Sequence, residues 1–175
     1  MKDIIRKKYL DIRKNIKNKE DKSHQIFLKI INDVTYQNSQ IIRLYSNLKD
    51  EVYTKELIDY SFSIGKIIAL PKVEKDIINF YKIDKDETLL NGKYSIKEPN
   101  GIKENYLSKD KLDLIIVPGI CFNKSGYRIG FGKGYYDKYL ENNLVSTIGV
   151  CYKELLVDLE FNEYHDQKVN KVITD

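Results

Sequence analysis

The stretch 112–140, LDLIIVPGICFNKSGYRIGFGKGYYDKYL, constrains the fold more than any other part of the chain. Leu112, Leu114, Ile115, Ile116 and Val117 form an apolar run stopped by Pro118-Gly119, the pattern of a short buried strand. Four glycines follow (Gly126, Gly130, Gly132 and Gly134), and the last three alternate with Phe131 and Lys133. No breaker interrupts Tyr135, Tyr136, Asp137, Lys138, Tyr139 and Leu140, so a helix is expected there. The reading is strand, glycine-rich loop, helix.

Alternating glycines allow positive φ and clear side chains away from backbone N–H groups, which leaves room for an anion. A helix starting near Gly134 adds its own free N–H groups and dipole. Arg128 and Lys133 add positive charge, and Asp137 falls in the first turn, within reach of a magnesium ion shared with phosphates. The pattern therefore suits a nucleotide polyphosphate. It is not a Walker A loop, because Gly134 rather than Ser or Thr follows Lys133, and the G-x-G-x-G spacing is not the dinucleotide fingerprint. On spacing alone, a flexible turn backed by a tyrosine-rich helix is the alternative.

The chain of 175 residues is long enough for one domain, 1–175, with about 70% of its unfolded surface buried. It has no apolar run near the ~20 residues of a membrane span, and its N-terminus has no signal-peptide core. No membrane partner is expected, and the expected location is cytoplasmic. Cys121 and Cys151 make no metal-binding spacing and are expected to be buried reduced thiols. His24 and His165 are too scattered for a zinc site. The net charge of +4 is concentrated in residues 1–22, which hold nine Lys/Arg against four Asp/Glu.

Along the chain, Ile5, Tyr9, Ile12 and Ile16 mark one face of a helix over 3–18, with Lys2, Arg6, Arg13 and Lys17 along another. From pattern alone the basic face is solvated. Ser23 to Val34 reads as a second helix with Ser23 as N-cap and Phe27, Ile30, Ile31 and Val34 facing the core. Gln40–Ser46 reads as a strand that feeds the loop 47–52, where Glu51 lies just past the strand end. A helix opens at Thr54 and closes at Gly65. Lys66–Leu70 reads as a strand stopped by Pro71, and Ile77–Ile83 as another, its expected antiparallel partner. Residues 84–111 read as a long surface segment that lines or covers a site. Thr147–Tyr152 reads as the last buried strand, and Glu154–Leu159 as a short helical turn. Alternating helices and strands argue an α/β fold with a central, mostly parallel sheet.

The string VPGICFNKSGYRIGFGKGYYDKYL closely resembles the C-terminal signature of the 5-formyltetrahydrofolate cyclo-ligase family, also called methenyltetrahydrofolate synthetases: Pro-Gly, an aromatic, a polar turn, then Arg-apolar-Gly-x-Gly-x-Gly-Tyr-Tyr-Asp. YSNLKDEVYTKELI resembles the family's folate-contacting segment, and IKEPNG (Ile96–Gly101) its Glu-Pro turn. The resemblance implies a Rossmann-like three-layer α/β/α sandwich. It also implies ATP- and Mg-dependent cyclisation of 5-formyltetrahydrofolate to 5,10-methenyltetrahydrofolate, with release of ADP and phosphate.

The same resemblance assigns roles. ATP would be held by Lys2, Arg6, Arg128, Ile129, Gly130, Phe131, Gly132, Lys133, Gly134, Tyr135 and Tyr136. The folate, possibly polyglutamylated, would meet Ser46, Glu51, Phe131, Gly132, Lys133, Gly134 and Tyr135, with Tyr45 and Leu48 beside Ser46. Lys133 and Arg128 would be catalytic, with Lys133 first in line to stabilise the transferring phosphoryl group. Asp137 and Asp166 would be the magnesium ligands. At position 170, where the family often has aspartate, this chain has Asn170. The competing reading is a non-catalytic nucleotide- or RNA-binding protein of the same fold, given the basic first helix and its tyrosines. A ligase acting on another amide-like substrate is a third. Arg128, Lys133, Tyr135, Asp137 and Glu51 together favour the folate enzyme; no nucleic-acid partner is expected, and the expected state is a monomer.

Overall fold

The computed structural model describes residues 1–110 and 113–175. The chain opens with three helices, α1 (Lys2–Asn15), α2 (Lys19–Ile31) and α3 (Val34–Asn38), and then enters strand β1 (Ile41–Arg43). Helix α4 (Lys55–Ser63) leads to the hairpin β2 (Ile67–Glu74) and β3 (Ile77–Lys82). Three two-residue strands follow, β4 (Leu90–Asn91), β5 (Lys97–Glu98) and β6 (Tyr106–Leu107). The second half holds β7 (Leu114–Pro118), β8 (Cys121–Asn123), β9 (Arg128–Ile129), α5 (Tyr135–Leu140), β10 (Ser146–Val150), β11 (Leu156–Val157) and β12 (Lys171–Ile173). Leu112, the expected first residue of β7, lies outside the described residues.

Seven strands form the central sheet in the order β12-β10-β7-β1-β2-β3-β6. Pairing is parallel from β12 to β2 and antiparallel at β2–β3 and β3–β6. The chain steps from β1 to β2 in one direction and from β7 to β10 in the other. Right-handed crossovers then place α4 and α5 on opposite faces, which makes three layers. The mostly parallel α/β fold is as expected. The core is the apolar centre of β7, β1 and β2: Leu114, Ile115, Ile116, Val117, Ile42, Leu44, Ile68, Ala69 and Leu70 are all buried. Strands covered on both faces read as continuous apolar runs, and these do. Cys121 and Cys151 are both buried and free, and burial pushes the Cys121 thiol up to about 12.

The reversal of direction between β1 and β7 creates a topological switch point. Ligands of open α/β sheets bind in the crevice outside the carboxyl ends of such strands. Here those ends lead into Tyr45–Glu51 and into Pro118–Ile120.

Four expectations need correction. Helix α2 starts earlier, after Asn18; Ser23 is inside it, hydrogen-bonded to the Tyr152 hydroxyl (3.2 Å) and accepting from the Tyr53 amide (3.0 Å). Val34 opens α3 and is exposed, because α2 ends at Ile31. Pro71 does not end its strand. Strand β1 pairs β2 only as far as Ala69, so at Pro71 that edge is free and no ladder bond is lost there. Finally, β10 is followed by one more sheet strand, β12. Its register on β10 is fixed by Asn170, whose Oδ1 accepts from the Thr147 amide (2.7 Å) and hydroxyl (2.9 Å).

Candidate active site

A cleft of about 970 Å³ opens over the switch point, at the upper end of the range for small-molecule sites. Its lining includes every expected site residue: Lys2, Arg6, Ser46, Glu51, Arg128, Ile129, Gly130, Phe131, Gly132, Lys133, Gly134, Tyr135, Tyr136, Asp137 and Asp166. Tyr45 and Leu48 line it as well. These residues come from the first helix, the loop after β1, the glycine-rich loop and the C-terminal tail, so only the folded topology brings them together.

The glycine-rich loop has the backbone its sequence suggests at two positions. Gly132 (φ 90°) and Gly134 (φ 66°) are left-handed, and Gly134 caps α5. Gly130 is not left-handed, and its carbonyl accepts from Arg6 Nε at 2.7 Å, which ties the loop to the first helix. Helix α5 is only six residues long, so its dipole would contribute little to holding an anion beside the side-chain cations and loop amides. Ile129 buries its side chain in the core, leaving only its backbone to face a ligand. Lys133 is exposed and has no ion pair among the described residues.

Lys2, Arg6 and Arg128 are paired. Lys2 Nζ reaches Asp166 at 2.6 Å and Glu163 at 3.1 Å. Arg6 also pairs with Asp3. Arg128 is buried against Asp137 (3.1 Å) and lies 5.5 Å from the centre of the Tyr136 ring. Burial works against the Arg128 charge and lowers its pKa, while Asp137 partly compensates. Asp137 accepts from the Gln167 amide at 3.0 Å, which ties it to the segment carrying Asp166. Burial also opposes the charge on Asp166, but hydrogen bonds from Lys2 and from the Glu163 amide outweigh it and hold the carboxyl below its usual range.

Ligand atoms of Glu163, His165 and Asp166 lie within 4.8 Å of one another. The carboxylates of Asp166, Asp137 and Glu163 are hard oxygen donors on the cleft wall, the donor type that magnesium prefers. The residues present therefore fit the ion. The approach of Glu163 and His165 to Asp166 was not legible in the sequence, since they sit in a polar tail without regular structure.

At the other end, Glu51 is buried, with 8% of its surface exposed. One carboxylate oxygen accepts from the Leu48 amide at 2.8 Å, and the other lies 3.8 Å from Arg13 Nη1. Burial raises the pKa of Glu51 above the ordinary carboxylate value, against the pull of those two donors. The loop carrying it is fixed from several sides. Thr54 Oγ1 donates to the Tyr45 carbonyl, the Tyr45 hydroxyl to the Val52 carbonyl, and the Tyr152 hydroxyl to the Glu51 carbonyl, each at 2.8 Å. Phe131 exposes 54% of its surface, over Arg13.

Of the segment 84–111, whose last residue lies outside the described residues, three side chains line the cleft: Tyr94, Ile96 and Glu98. Glu98 is buried and accepts from the Val73 amide at 3.1 Å. Gly92 makes room for it, since a Cβ there would lie 2.1 Å from Glu98 Cδ. The sequence pointed to the Glu-Pro turn but gave no sign that its glutamate is buried.

The 5-formyltetrahydrofolate cyclo-ligase family model matches residues 1–175. A mouse protein named 5-formyltetrahydrofolate cyclo-ligase is 32% identical over 158 residues, covering 83% of this chain and 78% of its own length. The NMR structure of Aquifex aeolicus 5,10-methenyltetrahydrofolate synthetase superposes with a TM-score of 0.85 at 30% identity, over 98% of this chain and 88% of that one. The Mycoplasma pneumoniae 5,10-methenyltetrahydrofolate synthetase gives 0.80 at 25% identity, over 99% and 98%.

Proposed function

This chain belongs to the 5-formyltetrahydrofolate cyclo-ligase family, and from that premise we propose that its cleft binds ATP and 5-formyltetrahydrofolate side by side and closes the folate to 5,10-methenyltetrahydrofolate. The observation that carries the reading is the cleft's composition. One continuous space joins a cationic wall (Lys2, Arg6, Arg128, Lys133) to an aromatic wall with a buried carboxylate (Tyr45, Phe131, Glu51). The first suits a triphosphate and the second a flat, polar-edged pterin.

The chemistry follows from what a formamide lacks. Its carbon is a poor electrophile and its oxygen a poor leaving group. The formyl oxygen attacks the γ-phosphorus and ADP departs. Nitrogen 10 then attacks the activated carbon and loses its proton. The C–O bond breaks, phosphate leaves, and the five-membered ring is closed. Positioning and charge compensation account for most of the rate in such a transfer.

Lys133, exposed and flanked by glycines, is the group free to follow the moving phosphoryl charge. Lys2, Arg6 and Arg128 hold the remaining phosphates. Asp137 and Asp166, with Glu163 beside them, would hold magnesium, which neutralises phosphate charge when bound. Phe131 and Tyr135 offer ring surfaces to the pterin, and Glu51 accepts from its N–H edge. The protein acts as a cytoplasmic monomer in this reading.

Labelling tests the route. With ¹⁸O in the formyl group, turnover with Mg-ATP should deliver the label to inorganic phosphate. Label appearing in water instead would contradict phosphorylation of the formyl oxygen.

A further inference from the structure

Arg13 is the only basic side chain of α1 that is buried, with 4% of its surface exposed, although its sequence position assigns it to a solvated face. A buried guanidinium is costly to desolvate, and an apolar residue of similar volume often serves stability as well or better. Its surroundings suggest another purpose. Nη1 lies 3.8 Å from Glu51 Oε1, and the guanidinium carbon lies 5.4 Å from the centre of the Phe131 ring. Nε and Nη1 have no hydrogen-bond partner among the described residues, and the Glu51 carboxylate and the Phe131 ring lie within reach of its charge. Both neighbours line the cleft.

We propose that Arg13 is the positioning residue of the folate subsite: from behind the wall it anchors the Glu51 carboxylate and the Phe131 ring together, in the geometry that receives the pterin. The inference rests on the reading of Glu51 and Phe131 as folate contacts. Arg13 itself touches no substrate. Helix α1 then serves both ends of the cleft, with Lys2 and Arg6 at the phosphates and Arg13, about two turns further on, behind the folate wall.

Arg13 also favours the ionised form of Glu51, beside the Leu48 amide and against burial. The groups facing Glu51 are Arg13 from α1, the Leu48 amide of its own loop, Tyr45 at the end of β1, Tyr136 of α5 and Tyr152 after β10; Asp50 beside it is paired with Lys19 at 3.1 Å. Arg13 is the one cation among those facing it directly. Without it, burial acts with less opposition, and a higher pH is needed to ionise Glu51.

The test is equilibrium binding of 5-formyltetrahydrofolate to wild type, Arg13→Met, Arg13→Lys and Glu51→Gln, across pH 6 to 9, with a non-hydrolysable ATP analogue titrated in parallel. Arg13→Met should bind folate at least tenfold more weakly at pH 7 and recover as pH rises. Its affinity for the ATP analogue should stay within twofold of wild type. Arg13→Lys should recover part of the loss, and in the Glu51→Gln background either Arg13 change should add little. Folate affinity within twofold of wild type in both Arg13 variants would overturn the inference, as would a pH-independent loss shared equally with the nucleotide. If Arg13→Met does not fold, Arg13→Lys with and without Glu51→Gln decides: independent, additive losses contradict the proposal. A wild-type protein that binds the ATP analogue but no folate overturns the folate reading as a whole.

Discussion

The two ends of the cleft treat charge in opposite ways. At the phosphate end Lys2 pairs with Asp166, Arg128 with Asp137 and Arg6 with a loop carbonyl, so cations and carboxylates satisfy one another before any ligand arrives. At the folate end Glu51 is buried with a single amide donor and a guanidinium 3.8 Å away. In the proposed reaction the first arrangement would be exchanged: magnesium would take the carboxylates as phosphates took the cations, and no charge would be stranded. The second is fixed by the fold, and the buried carboxylate is held ready at some expense in stability. The end proposed for the triphosphate and the end proposed for the flat pterin are thus built on different electrostatic plans.

Lys133 stands apart from both plans, and removing it should have the largest effect. Lys133→Ala should lower kcat/KM by about 2–4 kcal/mol, roughly 30- to 1,000-fold, if Lys133 is a preorganised partner of the moving charge. A loss within twofold would take it out of the mechanism.

Glu51→Gln separates function from stability at the other end. Folate KM should rise tenfold or more, since a charge-assisted hydrogen bond is worth about 1.5–3 kcal/mol. The melting temperature should rise at neutral pH. A carboxyl whose folded pKa is raised favours the fold while protonated and loses that contribution as pH climbs through the raised value. The variant's advantage should therefore be absent in acid and grow with pH. Melting curves from pH 4 to 8 check this, and a variant less stable than wild type at pH 8 would break the comparison.

Exchange of the phosphate-end pairs predicts linkage between metal and nucleotide. In wild type, magnesium should tighten ATP binding markedly. Asp166→Asn should lose most of that gain while binding metal-free ATP at least as well as wild type, because Lys2 is released. Calorimetric titrations with and without magnesium, and with chelator added back, give both numbers.

The smallest effect should come from Lys2→Ala. Its pair with Asp166 is partly solvated, so ATP affinity should fall only a few-fold, and less at high salt. Because Asp166 is held below its usual range, the pair supports the fold above the ordinary Asp pKa and loses that support as pH falls through the lowered value. The gap in melting temperature should close in strong acid.

What the sequence revealed depended on whether a residue's role is local. The Gly132 and Gly134 conformations, the strand ending at Pro118 and the loop position of Glu51 are all set by near neighbours, and each was legible. Pro71 misled because a proline stops a strand only where a partner needs its N–H, and whether β1 reaches that far is a tertiary fact. Arg13 looked like one more solvated lysine-like position, since its burial depends on the Glu51 loop, which lies 38 positions away in the sequence. Strand β12 was hidden in a polar tail and is held by Asn170 against Thr147 rather than by an apolar run. Asn170 thus has a clear structural task, the latch between the last two strands of the sheet.

The most direct test of the central claim is to mix the protein with 5-formyltetrahydrofolate and Mg-ATP and follow the near-ultraviolet absorbance of the methenyl product, with ATP omitted from the control. The account predicts a rise that requires ATP and is lost in Lys133→Ala. A flat trace from folded protein that still binds ATP would contradict it.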